Sequence, residues 1–101
     1  SPERGYIVES RRGGNGYIRI TRVQVDRETL LMHVINSLGD RVDLPSARAI
    51  LGNLAEAGAL PEGLARTLLA AVGDKALGAV PRDLRDQVRA DVLKNVLILQ
   101  V

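Results

Sequence analysis

Glycine and proline cut this chain into pieces of helix length. Gly39, Pro45, Gly58, Pro61, Gly73 and Pro81 punctuate it from residue 39 onward. Proline is tolerated in the first turn of a helix, where its missing N–H has no intrahelical partner, and glycine suits the position just past the last turn. Each Pro-to-Gly interval therefore reads as one short helix with its start and stop marked.

Apolar spacing agrees with that punctuation. A first helix is predicted from Arg27 to Leu38, with Asp26 as its N-cap, an apolar face of Leu30, Leu31, Val34, Ile35 and Leu38, and Gly39 as its stop. A second is predicted from Pro45 to Ala57, placing Ala47, Ile50, Leu51, Leu54 and Ala55 on one side before Gly58. A third runs from Pro61 to Val72 through Leu64, Leu68 and Leu69, and a short helical link is expected over Asp74 to Leu77. The fourth starts near Pro81, with Leu84, Val88, Val92 and Val96 at i+4 intervals, Leu93 and Leu97 beside them, and an apolar end Val96-Leu97-Ile98-Leu99.

Four short helices with tight connections pack most simply as an antiparallel bundle. The core must be aliphatic, because the chain of 101 residues has no Phe, Trp or Cys. A helical module of about 75 residues buries a modest fraction of its surface, so burial shared across a two-fold axis, particularly along the last helix, is the natural way to stabilise it. A homodimer is expected.

The first 26 residues have another character. Gly5-Tyr6-Ile7-Val8-Glu9-Ser10 and Tyr17-Ile18-Arg19-Ile20-Thr21-Arg22-Val23 are rich in β-branched and aromatic residues, and the second run alternates apolar with polar. Between them lies Arg11-Arg12-Gly13-Gly14-Asn15-Gly16, which puts two guanidiniums on a tip nearly free of side chains. Such a tip can approach a phosphate-lined groove closely. It is equally compatible with an ordinary hairpin turn at Asn15-Gly16. The fold class predicted is mainly α with a small β part: a two-stranded β-hairpin over residues 1–26, then a four-helix bundle-like domain over residues 27–101.

At this point the residues resemble a family. Glu3-Arg4-Gly5-Tyr6-Ile7-Val8-Glu9-Ser10-Arg11-Arg12-Gly13-Gly14-Asn15-Gly16-Tyr17-Ile18-Arg19-Ile20 is similar to the wing segment of the CtsR family, repressors of class three stress genes in Gram-positive bacteria. Asn15 departs from the unbroken glycine run common there. The resemblance implies a winged helix-turn-helix DNA-binding domain of which residues 1–26 are the β-wing remnant, followed by a C-terminal domain that dimerises and docks partners. With the recognition helix absent, the chain is not expected to recognise an operator sequence by itself.

The resemblance further implies that the intact protein binds operator DNA as a dimer, with Arg11 or Arg12 in the minor groove and the Gly13, Gly14, Asn15 and Gly16 backbone near the sugar-phosphate wall. It names two other partners, the protein arginine kinase McsB and the Clp ATPase/protease machinery. Arg12 is the implied phosphorylation target. Phosphorylation would replace a cation with negative charge beside DNA phosphates, turning attraction into repulsion. An alternative is a helical interaction module that docks onto the kinase without binding DNA itself. Direct heat sensing by the glycine-rich loop is a third reading, since ordering glycine carries a large entropy cost.

Charge follows the same division. Residues 1–27 hold six arginines against three acidic groups, a net +3, whereas residues 28–101 hold eight basic and nine acidic groups, a net −1. A solvated basic surface without a partner gives the same count. Catalytic readings fare poorly: His33, the only histidine, lies between Met32 and Val34 and reads as a helix-surface or partly packed residue. Asp83, Asp86 and Asp91 interleave with Arg82, Arg85, Arg89 and Lys94, which predicts a solvated salt-bridging face. No cofactor, metal site or membrane span is expected, and a cytoplasmic, non-enzymatic protein is the default.

Overall fold

A computed structural model describes the backbone of residues 15–101 and the side chains of residues 26–101. Those residues form α1 (Asn15–Ser37), α2 (Leu44–Glu56), α3 (Glu62–Ala71) and α4 (Arg85–Leu97), with 3-10 turns at Arg82–Leu84 and Ile98–Gln100 on either side of α4. α2 and α3 pack together as a helical hairpin, and α1 lies against α4 and the last 3-10 turn. One aliphatic core joins them, drawn from Leu31 and Leu38, Val42, Ala47, Leu51 and Leu54, Ala59 and Leu60, Ala65, Leu68 and Val72, and Ala90, Leu93 and Leu97. Each fully buried leucine contributes roughly 1.5–3 kcal/mol relative to exposure.

The predicted β-hairpin is not formed by the described residues. Tyr17 to Val23, expected as its second strand, is part of α1, which opens at Asn15 and runs unbroken across residue 26. Residues 3–14, which carry the expected first strand and most of the basic tip, lie outside the described residues. Two physical reasons favour helix over strand. Tyr17, Ile20 and Val23 are spaced by three and stay in register with Leu30 and Val34, so the run fits a helical period as well as an alternating one. No Gly or Pro interrupts Tyr17 to Ser37, and extending an existing helix escapes the nucleation penalty, whereas an isolated two-stranded ribbon is marginal. Asp26 is thus an interior residue of α1, not its cap.

The punctuated helices fall close to expectation. α2 begins one residue before Pro45 because Asp43 caps it, accepting a hydrogen bond from the Ser46 backbone N–H at 2.8 Å. It ends in a Schellman motif: Gly58 has φ +75°, its N–H donates to Ala55 O at 3.1 Å, and the Ala59 N–H donates to Leu54 O at 2.9 Å. Leu54 and Ala59, both buried, supply the apolar contact that accompanies this geometry. Asp74 to Leu77 forms turns rather than a helix, closed by Leu77 N–H donating to Gly73 O at 3.0 Å.

The buried face of α4 is also rotated from the predicted one. Ala90, Leu93 and Leu97 are buried, whereas Val92 and Val96 are half-buried and Leu84 is exposed. Steps of four residues drift by roughly 40° each at 3.6 residues per turn, so Leu84, Val88, Val92 and Val96 wind around the helix. Alternating steps of three and four stay on one side.

Gly58 yields a direct test. A Cβ there meets nothing within 4 Å, so any cost of Gly58→Ala is backbone strain alone. The variant is expected to lose about 1–2 kcal/mol in chemical denaturation, with an unchanged m-value.

Candidate functional site

α4 carries the residue that ties the α1–α2 connection, the end of α3 and the following turn together. Arg89 is only 1% exposed, yet it is charged. Its Nε donates to Val72 O at 2.7 Å at the end of α3. One terminal nitrogen donates to Val42 O at 3.0 Å in the α1–α2 connection and to Asp86 Oδ1 at 2.6 Å. The other donates to Asp74 Oδ1 at 2.8 Å. The Val42 N–H in turn donates to Asp86 O at 3.0 Å, so Val42 is held to α4 through both its backbone groups.

These contacts make chemical sense of a buried cation. Two carbonyls and two carboxylates satisfy the guanidinium, and its planar fork reaches all four where an ammonium could not. Asp74 and Asp86 remain 61% and 43% exposed, so they keep much of their own hydration. Val72 O is one of the carbonyls left orphaned at a helix C-terminus, where a cation is also favoured by the helix dipole. Arg85, one turn earlier, donates to Val80 O at 2.9 Å and to Gly78 O at 3.3 Å and fixes the rest of that turn.

The expectation of a solvated salt-bridging face is therefore wrong for Arg89, although Asp83 and Asp91 are exposed. A signal was present: Arg89 shares the three-and-four spacing of Asp86, Ala90, Leu93 and Leu97 and is the cation within that stripe. The Asp43 cap also went unread. The Ser46 side chain and backbone N–H, in that order, hold the Asp43 carboxyl below the usual carboxylate range, and the Arg89 charge adds a smaller push in the same direction.

The surface formed by the described residues includes two hollows. One, of about 420 Å³, runs between α2 and α3 over Leu51, Ala55, Ala65 and Leu69. The other, of about 410 Å³, is a shallow depression beside Met32, His33 and Val101. His33 is exposed on α1. Among the described residues no group of three or more His, Cys, Asp or Glu side chains could hold a metal ion, and no helix is long and apolar enough to cross a membrane. Among the described residues the exposed large apolar side chains are Leu84, Ile98, Leu99 and Val101, with Leu99 the most exposed at 77%.

Of the expected DNA-contacting residues, Arg11, Arg12, Gly13 and Gly14 lie outside the described residues. Asn15 and Gly16 are the first two residues of α1.

The described residues form an all-helical domain tied together by a buried arginine. Comparison with known proteins identifies it. Residues 26–98 match the family described as the CtsR C-terminal dimerization domain, and residues 1–24 match the CtsR N-terminal HTH domain. The chain belongs to the CtsR family. Similar proteins, each named transcriptional regulator CtsR, occur in Lactiplantibacillus plantarum (38% identical), Geobacillus stearothermophilus (40%) and Bacillus subtilis (33%). Each match covers 94% of this chain and 62% of the relative, so the chain spans less than two thirds of their length. No solved structure matches it.

Two outcomes test the hub. Arg89→Ala is expected to cost roughly 3–5 kcal/mol, since it strands buried carbonyls and empties a packed site, whereas Asp74→Ala, removing a largely exposed partner, should cost under about 1 kcal/mol. Urea denaturation of the two variants measures both. Because the Asp43 carboxyl is depressed in the folded chain, its stabilising contribution is present at neutral pH and fades as pH falls below about 4. Asp43→Asn, which retains a capping oxygen, should remove that component from the acid limb of a stability–pH curve.

Proposed function

We propose that this chain is the dimerising portion of a DNA-binding stress-gene repressor, and that its basic N-terminal segment lies at the DNA. The observation that carries the reading is the succession of two matches along one chain, an HTH-domain match over residues 1–24 and a dimerization-domain match over residues 26–98. Charge supports it, since the excess of arginine is confined to residues 1–27 while the helical domain is close to neutral. In this reading Arg11 or Arg12 enters the minor groove, and Gly13, Gly14, Asn15 and Gly16 let the chain approach the phosphates. Minor-groove arginines report groove width and A·T character, so they supply affinity and shape preference more than base identity.

Release is proposed to follow phosphorylation of Arg12 by a protein arginine kinase of the McsB type. Clp-dependent degradation then removes the protein. The chemistry is electrostatic: a guanidinium facing phosphates becomes an anion facing phosphates. The helical domain is the surface on which such a kinase would dock, and the cytoplasm is where DNA and kinase meet.

Duplex binding followed by fluorescence anisotropy across a salt series tests the DNA contact. Arg11→Ala/Arg12→Ala should flatten the slope of log K against log salt by about 2, the loss of two phosphate-neutralising charges. An unchanged slope removes these residues from the interface. Arg12→Lys should keep most of the affinity yet stay bound in the presence of kinase and ATP; release equal to that of the parent chain rules Arg12 out as the switch.

A further inference from the structure

α2 and α3 present matching stripes to the hollow between them. Arg48, Leu51, Gly52, Ala55 and Glu56 follow the i, i+3, i+4, i+7, i+8 pattern of one helix face, and Glu62, Ala65, Arg66 and Leu69 follow it on α3. Leu51 and Ala65 are buried beneath the hollow, Ala55 and Leu69 are half-buried in its floor, and the charged side chains are exposed along its rim.

The rim charges are graded along the groove. Glu56 closes α2 and Glu62 opens α3, so the end beside the connecting turn is acidic. Gly52 and Arg66 each lie one turn, about 6 Å, farther along their helices, and Arg48 lies about 12 Å from Glu56. Charge thus passes from negative to positive over two turns. On the α2 side Gly52 interrupts the rim, and a Cβ built on it meets nothing within 4 Å, so no contact inside the chain requires glycine there. A gap at that point lets the backbone of another segment come close to α2.

The pattern narrows the occupant. A second copy docked about a two-fold axis through the middle of the groove sets Arg66 against Arg66, and juxtaposed like charges disfavour that pairing. An extended segment leaves backbone N–H and C=O groups unpaired over an apolar floor, whereas a helix satisfies its own. We infer that the α2–α3 groove takes an amphipathic helix of a different protein, one whose apolar side chains at i, i+4 and i+7 rest on Ala55 and Leu69. That helix carries Lys or Arg at the end beside Glu56 and Glu62, and Asp or Glu one to two turns on, beside Arg66 and Arg48. Apolar contact supplies most of the affinity, and the opposed charges fix direction and register. The inference is independent of the DNA and kinase readings above, neither of which places a partner in this groove.

Three synthetic helical peptides, each about 14 residues or four turns long, provide the probes. All share one leucine stripe; one has Lys at one end and Glu farther along, one has Lys only and one Glu only. By fluorescence anisotropy the 101-residue chain is expected to bind the sorted peptide at micromolar concentration and each single-sign peptide about 10-fold more weakly, the loss of two rim ion pairs. Arg48→Glu/Arg66→Glu should transfer the preference to the Lys-only peptide, and Glu56→Lys/Glu62→Lys to the Glu-only peptide. Gly52→Leu, which fills the gap without changing charge, should weaken the sorted peptide by about 10-fold or more. Helical circular dichroism should be unchanged in all three variants, because the altered positions are exposed. No binding of the sorted peptide, equal affinity for all three peptides, or full affinity in Gly52→Leu overturns the inference. A parent dimer that becomes monomeric in both charge variants by sedimentation velocity shows that a second copy fills the groove, and overturns it as well.

Discussion

A single guanidinium holds the connecting segments of this domain in place. Arg89 is enclosed by the α1–α2 connection at Val42, the end of α3 at Val72 and the following turn at Asp74. Desolvating a cation is costly, and the cost is recovered only where several acceptors with good geometry surround it. The three segments meet α4 because that is where their carbonyl and carboxylate groups satisfy the charge. The aliphatic core alone would leave more freedom, since burial of Leu and Ala is non-directional.

That arrangement determines what is left for other molecules. With α4 fixed against α1, the α1–α2 connection and the turn that follows α3, α2 and α3 keep a shared outer groove. A core without Phe or Trp offers little large-area burial, so an assembly that covers further aliphatic surface adds stability the isolated chain lacks. The proposed dimerisation and folding thereby draw on the same kind of surface.

α1 links the two regions matched by the family, crossing from residues 1–24 into residues 26–98 without a break. Its 23 residues extend about 35 Å at helical rise. A continuous helix transmits orientation where a glycine-rich linker would not. The proposed DNA-facing segment is accordingly joined to the assembly domain by a helix, and geometry set at one end bears on the other.

Much of the helical layout was legible in sequence. α2 and α3 lie within a residue or so of their Pro and Gly marks, because backbone-restricted residues act locally and need no tertiary partner to be read. The family resemblance, too, rested on contiguous residues. The strand expected at Tyr17 to Val23 shows the limit: β-branched composition is a weak preference, and a run that fits both periods is decided by its neighbours. Arg89 shows another. Its charge suggests solvent, and only the convergence of Val42, Val72, Asp74 and Asp86, distant in sequence, makes burial favourable. Sequence by itself determined where the chain turns, which residues are apolar enough for the core and where positive charge collects. Tertiary structure decided which face of α4 is buried, where a cation is enclosed and which groove remains open, because each depends on groups that meet only when the chain has folded.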